Sequence, residues 1–496
     1  AALAPPASPG AAAPAPRLAY ESQVVVLVIT TQDYDQFRPW EKKTPETRTV
    51  QAVVLEGSRL ITTADLVEGA TVVLAEKHGS PHREPARIVH VDADANLALL
   101  TVDAAGFFGD LKPAVLAGSV PSEGRVDTVR WSSGQLEVSA SRVTRMEVGG
   151  TYLGALEHAS LLLETDLTGG GWSEPVFAGG RLIGLTYSQD EQSATVTPVD
   201  ILRAYLESAR SPKPYREMAN LELYWQVNRD PALTRHLGLP GEPRGVLVTQ
   251  VPQGSSACGA LLPRDLLLGL DGHPIDAAGY YEHPGHGRLK FTQIVVDGHR
   301  AGDVVPAEVL RDGRTIGVRL TLRPARSAND LIPFRSGGEP PPYVVAGGLV
   351  FRELTADFLR TWGQDWEKKA PPFLVTRYEL FRTAQSPDRR RVVLLAYVLP
   401  SAYNLGYGNL QNLPVARING RDIDSIDDVD EAFRHPGKEF HLIVLESNPV
   451  RSEILLDAAT FEEATRSILE DYQVPQRIRL RPAPLPPLGD DCDGRS

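Results

Sequence analysis

Short apolar runs separated by glycine and charged residues dominate the chain from Glu21 onward. Runs of this length, rich in Val, Ile and Leu and bounded by turn residues, predict β-strands. The predicted strands of the first unit are Val24–Ile29, Val50–Leu55, Ala70–Leu74, Ala86–Val91, Leu97–Val102, Val126–Trp131, Leu161–Glu164 and Arg181–Thr186. Their even spacing indicates a sandwich or barrel, and a helix over Pro198–Arg210 ends a domain predicted at residues 21–210.

Two more β-rich units are predicted after this domain, at residues 215–324 and 343–480. The chain begins with residues 1–20, which are mostly Ala and Pro and are interpreted as a low-complexity linker. Residues 481–496 combine prolines with acidic residues and are predicted to form a disordered tail. The sequence therefore predicts three folded units between two irregular ends.

Length and composition agree with this division. A chain of 496 residues is expected to form roughly three domains of about 150 residues each. Its 43 glycines and 40 prolines favour short strands and many turns, and its net charge of -12 argues against binding to nucleic acid. The basic triplet Arg389–Arg391 is interpreted as a solvated turn. No apolar run approaches the roughly 18 residues of a membrane span.

The two cysteines, Cys258 and Cys492, show neither CxxC spacing nor a neighbouring histidine cluster. No metal, cofactor or redox site is therefore expected. Because Cys258 lies in a predicted domain and Cys492 in an acidic tail that is expected to be mobile, a structural disulfide between them is not expected either. The Ala- and Pro-rich start resembles the segment that follows a cleaved bacterial signal peptide. This predicts export to the bacterial periplasm or cell envelope.

Three stretches of the first unit carry motifs in a fixed order. Residues 57–70 read Gly-Ser-Arg-Leu-Ile-Thr-Thr-Ala-Asp-Leu-Val-Glu-Gly-Ala, and residues 91–100 read Val-Asp-Ala-Asp-Ala-Asn-Leu-Ala-Leu-Leu. Residues 164–175 read Glu-Thr-Asp-Leu-Thr-Gly-Gly-Gly-Trp-Ser-Glu-Pro. Together they resemble the segments of HtrA/Deg serine proteases that hold the catalytic histidine, aspartate and serine. The resemblance implies a trypsin-like double β-barrel.

The same resemblance implies that the catalytic triad is degenerate. Asp65 stands at the position of the histidine, Asn96 at that of the aspartate and Trp172 at that of the serine. A shift of one residue would offer Ser173 as the nucleophile. A serine attacks an amide only when an imidazole accepts its proton and a carboxylate holds that imidazole, and neither Asp65 nor Asn96 fills those roles.

Two further features weaken the expected active site. Glu174 replaces a glycine of the nucleophile loop, and an anion there opposes an oxyanion hole, whose backbone amides must converge on negative charge. The histidines of the first unit lie off the matching position and are interpreted as surface or strand-edge residues. They are His78, His82, His90 and His158.

The second unit resembles an HtrA-type PDZ domain through residues 245–255 and 261–275. PDZ domains add a peptide as a strand and hold its C-terminal carboxylate in a nest of backbone amides. The resemblance places that peptide-binding loop at Leu221, Glu222 and Leu223. Because Glu222 replaces a glycine, it is expected to repel a carboxylate.

The third unit resembles the divergent second PDZ domain of plant-type Deg proteases. Its candidate peptide-binding loop is Gly347, Gly348, Leu349, Val350 and Phe351. A tight turn that leads into a buried strand explains the same residues without any ligand. The fold class expected for the chain is therefore mainly β: a trypsin-like double β-barrel followed by two PDZ-like α+β domains.

The resemblance implies a catalytically inactive HtrA/Deg-like protein that forms a homo- or hetero-oligomer. Such a protein would bind unfolded or extended polypeptides, or would scaffold an active protease paralogue. One alternative is an active serine endopeptidase that uses Ser173 in a rearranged site. Another is a purely structural subunit of an envelope complex, which would need no open groove.

Overall fold

The computed structural model describes residues 20–78, 80, 82–325, 330–334, 339–363, 365–384, 389–437, 439–446 and 452–485. The expected fold class is confirmed, since two closed six-stranded barrels are followed by two α+β units. Within those residues, no helix combines the length and the hydropathy needed to cross a membrane.

The first barrel joins its strands in the order β1-β2-β3-β6-β5-β4. Its elements are β1 (Val24–Thr31), β2 (Glu46–Leu55), β3 (Arg59–Thr62), α1 (Ala64–Val67), β4 (Ala70–Glu76), β5 (Arg83–Asp92) and β6 (Leu97–Val102). β6 is buried along its whole length, whereas β5 alternates between exposed and half-buried positions. The apolar run at residues 97–102 therefore forms a strand that is buried on both of its faces.

The second barrel has the order β10-β11-β12-β9-β8-β7. Its elements are β7 (Gly124–Ser132), β8 (Gln135–Gly150), β9 (Glu157–Thr165), β10 (Pro175–Ala178), β11 (Arg181–Gln189), β12 (Ser193–Pro198) and α2 (Val199–Arg210). The helix predicted at the end of this unit is confirmed by α2. One face of α2 is buried, which anchors the end of the double barrel.

The first PDZ-like unit contains a six-stranded sheet with the main order β13-β14-β15-β19-β20. Its elements are β13 (Tyr224–Val227), α3 (Pro231–His236), β14 (Val246–Gln250), β15 (Leu266–Leu270), β16 (His273–Pro274), β17 (Tyr280–His283), β18 (Gly287–Lys290), α4 (Gln293–Val296), β19 (Val304–Arg311) and β20 (Arg314–Thr321). Asp230 caps α3 by accepting from the Ala232 N–H at 2.8 Å. This unit shares a continuous apolar core with the barrels.

The second PDZ-like unit has an eight-stranded sheet with the main order β27-β26-β24-β23-β22-β21-β28. Its strands are β21 (Tyr343–Ala346), β22 (Leu349–Glu353), β23 (Val393–Val398), β24 (Leu413–Ile418), β25 (Arg421–Asp422), β26 (Phe440–Leu445), β27 (Glu453–Asp457) and β28 (Ile478–Arg479). Its helices are α5 (Ala356–Leu359), the 3-10 turn Arg360–Trp362, α6 (Trp366–Lys369), α7 (Pro372–Phe381), α8 (Ile426–Arg434) and α9 (Phe461–Asp471).

This unit also packs against the first barrel, through the loop between β1 and β2. The buried guanidinium of Arg352 donates to Gln36 Oε1 at 2.7 Å, and Arg479 donates to the Pro39 carbonyl at 3.0 Å. Trp40 packs edge-on against Tyr343, with ring centroids 5.5 Å apart. The third unit therefore folds back onto the start of the chain.

The interpretation of Arg389–Arg391 as a solvated turn was wrong. Arg391 is buried with its Nε 3.6 Å from Glu353, and Arg389 pairs with Glu446. Arg481, expected in the disordered tail, also pairs with Glu353. The triplet is thus part of an internal ion-pair cluster whose acidic members come from distant strands, which charge runs along the sequence do not reveal.

The expectation that the cysteines form no structural disulfide was also wrong, because Cys258 is disulfide-bonded. The other cysteine of the chain, Cys492, lies outside the described residues.

Gln51 of β2 ties the two barrels together. Its side chain donates to the Trp131 carbonyl at 3.2 Å and accepts from the Trp131 N–H at 2.9 Å. Its backbone N–H donates to the Trp172 carbonyl at 3.0 Å. Because Gln51 is 3% exposed, these bonds form away from water and leave few alternatives for the groups involved.

Replacing Gln51 by leucine is expected to lower the free energy of unfolding by about 2–4 kcal/mol. Two buried backbone groups of Trp131 would lose their partner, at a cost of roughly 1–3 kcal/mol each. Urea unfolding followed by tryptophan fluorescence measures the change. Gln135→Leu, at an exposed position of β8, is the control and should shift stability by less than about 0.5 kcal/mol. Equal losses in the two variants would contradict the role of Gln51 in joining the two barrels.

Candidate active site

The structure brings two of the predicted triad positions together. Asp65 lies in the first turn of α1, and Asn96 lies in the turn between β5 and β6 with φ of 51°. Asn96 Oδ1 accepts from the Asp65 N–H at 3.0 Å, and its carbonyl accepts from the Ala64 N–H at 3.1 Å. Asn96 therefore holds the start of α1, and its side-chain oxygen is committed to a backbone amide.

Ser173 occupies a strained and buried position in the nucleophile loop. Its φ of 66° lies in the left-handed region, which favours glycine. Ser173 is 0% exposed, and its Oγ has no hydrogen-bond partner among the described atoms. Its hydroxyl is therefore not accessible from the surface.

Trp172 is 37% exposed. The Arg48 guanidinium stands over its ring, 5.6 Å from the centroid. An indole cannot attack an amide, so Trp172 itself offers no nucleophile.

Glu174 turns its carboxylate back into its own loop. Its Oε2 accepts from the Gly171 and Trp172 N–H groups, each at 2.9 Å, and from the Thr186 hydroxyl. Glu174 is 1% exposed. Loop amides of this kind stabilise a developing oxyanion in acyl-transfer enzymes. Here two of them are already bound to a carboxylate of the same chain.

The loop before Trp172 lies directly on the end of β11. A Cβ atom at Gly171 would come within 3.1 Å of the Gln189 backbone nitrogen and of the Ser188 carbonyl carbon. Gln189 also donates from its side chain to the Leu167 carbonyl. Residues 167–171 therefore take up the space beside this strand.

The histidines of the first unit are engaged elsewhere. His158 is fully buried, and burial lowers its pKa. His90 Nδ1 lies 3.2 Å from the Tyr205 hydroxyl, and His78 stacks on Trp131 at 4.1 Å. Among the described residues, no group of three or more His, Cys, Asp or Glu side chains could hold a metal ion.

Behind Asn96, Asp94 joins the two barrels. Its Oδ1 accepts from the Ala155 and Leu156 N–H groups at 3.0 and 3.3 Å. Burial and the neighbouring charge of Asp92 raise the pKa of Asp94 to about 7. Protonation of this carboxyl therefore falls in the neutral pH range.

The predicted loop of the first PDZ-like unit faces the third unit. Leu221 is buried, Leu223 is half-buried, and Glu222 adopts φ of 42° at the position of the family's glycine. Burial raises the pKa of Glu222, and the Arg382 charge opposes that shift. Beside this loop, Tyr224 at the start of β13 has its hydroxyl 3.1 Å from Thr383 Oγ1.

The predicted loop of the second PDZ-like unit is a turn inside the sheet. Gly347 and Gly348 connect β21 to β22, and Leu349, Val350 and Phe351 are buried in β22. β22 pairs with β21 on one side and β23 on the other, while β28 covers β21. Peptide binding at this loop stays a prediction, and the paired edges of β22 argue against it.

Sequence reasoning missed Gln51, Thr186 and Arg48, which position or cover the nucleophile loop. Gln51 could have been found, since it is a polar residue within the apolar run Val50–Leu55. Neither Thr186 nor Arg48 breaks a comparable pattern.

Comparison with known proteins supports the whole-chain architecture. The PDZ domain family matches residues 332–478. Chloroplastic Protease Do-like 2 of Arabidopsis thaliana is 25% identical over 462 residues, which cover 91% of this chain and 74% of that protein. Mitochondrial Protease Do-like 4 of the same plant is 24% identical and covers 88% of this chain and 81% of that protein.

Two solved structures align with a smaller part of the chain. The HtrA-type protease AlgW with a decapeptide is 18% identical, covers 62% of this chain and 98% of that chain, and has a TM-score of 0.46. The serine endoprotease of Yersinia pestis is 15% identical and covers 63% of this chain and 100% of that chain, with a TM-score of 0.42.

Asp94→Asn is expected to flatten the pH dependence of stability. The folded pKa of about 7 exceeds the unfolded value of about 3.9. The folded protein therefore retains this proton between those values, and the free energy of unfolding falls as the pH rises through that window. Asparagine keeps the acceptor without the charge, so the variant should be more stable above pH 7 by about 1–2 kcal/mol.

Urea unfolding at pH 5 and pH 8 measures this effect. Asp166→Asn removes an exposed carboxylate from the same domain and is the control. The difference in stability between the two pH values should shrink for Asp94→Asn alone. An unchanged difference would show that Asp94 releases its proton at the same pH in both states.

Proposed function

We propose that this chain, which belongs to the HtrA/Deg family, is a member that binds polypeptide or scaffolds an assembly without cleaving peptide bonds. The observation that carries the proposal is the Glu174 carboxylate bound to the Gly171 and Trp172 amides. A substrate carbonyl would need such amides at the moment its oxygen becomes negative. A carboxylate that already holds them opposes that charge.

The positions of the triad support the same conclusion. Trp172 offers no nucleophile, and Asn96 offers an amide in place of the carboxylate that would stabilise an imidazolium. Asp65 is a carboxyl group, whose ordinary pKa near 4 makes it a poor base for a hydroxyl. Each change removes a different step of the acyl-transfer mechanism, so restoring any single residue leaves the others missing.

The two PDZ-like units support a role in binding or assembly. PDZ domains recognise extended polypeptide by adding it to a sheet edge. In the described part of the first PDZ-like unit, β13 pairs with β14 alone, so its outer side is the edge at which this addition would occur. Partners of the proposed scaffold are unfolded polypeptides, further copies of this chain or an active protease paralogue.

The competing function is a serine endopeptidase that uses Ser173. The Ser173 hydroxyl is buried and the Ser173 backbone is left-handed, and both features argue against this function. Activity through Ser173 would require residues 171–174 to leave the bonds described above. This alternative remains open to a direct test.

The wild-type protein and Ser173→Ala are both expected to leave unfolded casein intact and to remain unlabelled by a fluorophosphonate. Gel electrophoresis and mass spectrometry measure the two outcomes. Ser58→Ala is the matched control, since Ser58 also has a left-handed φ, of 57°, but lies in an exposed turn. Cleavage that Ser173→Ala abolishes and Ser58→Ala preserves would overturn the proposal.

We also propose that the protein works in an oxidising compartment, such as the bacterial periplasm. The disulfide at Cys258 supports this, because reducing cytosol rarely permits stable disulfides. The names of the two plant relatives assign those proteins to the chloroplast and the mitochondrion.

Protein purified without reductant should therefore resist alkylation. Iodoacetamide in denaturant should add no group before reduction and two groups afterwards, since the chain has two cysteines. Intact-mass spectrometry counts the added groups. Two groups before reduction would contradict both the disulfide and the compartment inferred from it.

A further inference from the structure

Three exposed aromatic side chains lie on loops of the two barrels. Trp172 of the nucleophile loop is 37% exposed, Tyr152 of the β8–β9 loop is 60% exposed and Phe37 of the β1–β2 loop is 44% exposed. Large aromatic groups are costly to leave in water, and their grouping on a surface marks an interaction site. They come from both barrels, so the fold places them together while the sequence keeps them apart.

Arginines link these rings. The Arg48 guanidinium lies over Trp172 at 5.6 Å, and that of Arg360 lies over Tyr152 at 5.1 Å. Partial desolvation raises the pKa of the Tyr152 phenol, and the charge of Arg360 opposes the shift. We call these five residues, Phe37, Arg48, Tyr152, Trp172 and Arg360, the aromatic rim.

The rim continues into the third unit. Phe37 packs against Phe358 and Trp362, with ring centroids 5.7 and 6.1 Å apart. Arg360 belongs to the 3-10 turn of that unit. The surface thus runs from the position of the lost nucleophile to the second PDZ-like unit.

The charge of the rim is balanced. Arg48 Nη2 lies 3.0 Å from Glu46, and Arg360 Nη1 lies 3.3 Å from Asp357. A strongly anionic partner would therefore gain little from these arginines. Among the described residues, Arg48 donates from Nη2 to Glu46, which leaves its other N–H groups for the carbonyls of a bound chain.

We propose that the aromatic rim binds an extended, weakly charged polypeptide segment through its aromatic or proline side chains. This rests on the proposed function and identifies where the polypeptide binds. Exposed tryptophan and tyrosine with stacked arginines match the residues that contribute most to binding at protein interfaces. The bound segment would cross the nucleophile loop and contact the third unit.

The rim can be altered without dismantling its loop. The Trp172 backbone accepts from Gln51 and donates to Glu174, and alanine would keep both bonds. Trp172→Ala and Tyr152→Ala are therefore the test variants. Phe440→Ala is the matched control, since Phe440 is an equally exposed aromatic residue on β26 of the third unit. Thermal unfolding of all three variants verifies that they remain folded.

The probe is a fluorescein-labelled peptide of about twelve Ser, Gly and Asn residues that carries two phenylalanines. Fluorescence anisotropy should show binding to the wild-type protein and to Phe440→Ala. The Kd should rise at least about tenfold for Trp172→Ala and Tyr152→Ala. Replacing both phenylalanines of the peptide by aspartates should abolish binding.

The outcomes separate the inference from the function on which it rests. Binding that persists unchanged in both rim variants would show that the aromatic rim is not the binding site, while the proposed binding of polypeptide would stand. Equal binding of the aspartate peptide would overturn the proposed ligand class. If the wild-type protein binds neither peptide, both the aromatic rim as a binding site and the proposed binding of polypeptide are wrong. Cleavage of the peptide would contradict the proposal that the protein is catalytically inactive.

Discussion

The junction between the barrels depends on one buried amide side chain. Gln51 satisfies both backbone groups of Trp131, and its own N–H holds the Trp172 carbonyl. The nucleophile loop is therefore fixed from the opposite barrel, and the position of the indole follows from a contact made on β2. Because the groups are buried, any movement of this loop would expose or orphan several hydrogen bonds at once.

Within that fixed loop, the backbone amides of Gly171 and Trp172 are bound by the protein's own Glu174 carboxylate. Glu174 lies a few residues from the amides that it binds, so its effective concentration there exceeds that of a diffusing substrate. The edges of two strands are likewise occupied in the second PDZ-like unit, where β21 pairs with β22 and β28 pairs with β21. In both places, groups of the chain itself occupy hydrogen-bonding positions of the backbone.

Much of this fold could be predicted from the sequence, because strands with one or two buried faces leave a clear apolar pattern. The assignment of Asp65, Asn96 and Trp172 to the triad positions stays a prediction from motifs that keep their spacing. The direction of the Glu174 side chain could not be predicted, since a replaced glycine indicates interference with the loop but not which amides the carboxylate reaches. The same limit explains the error at Arg391, whose partner Glu353 lies on a strand that the sequence alone does not place beside it.

The return of the C-terminal segment imposes an order on biosynthesis. β28 pairs with β21, and Arg479 contacts the Pro39 carbonyl, 440 residues earlier in the chain. A ribosome adding about 5–20 residues per second would release the first barrel well before Arg479 exists. During that interval, the Pro39 carbonyl lacks the hydrogen bond from Arg479. The junction between the third unit and the first barrel is therefore completed only after Arg479 has been translated, when the first barrel has long been available to fold.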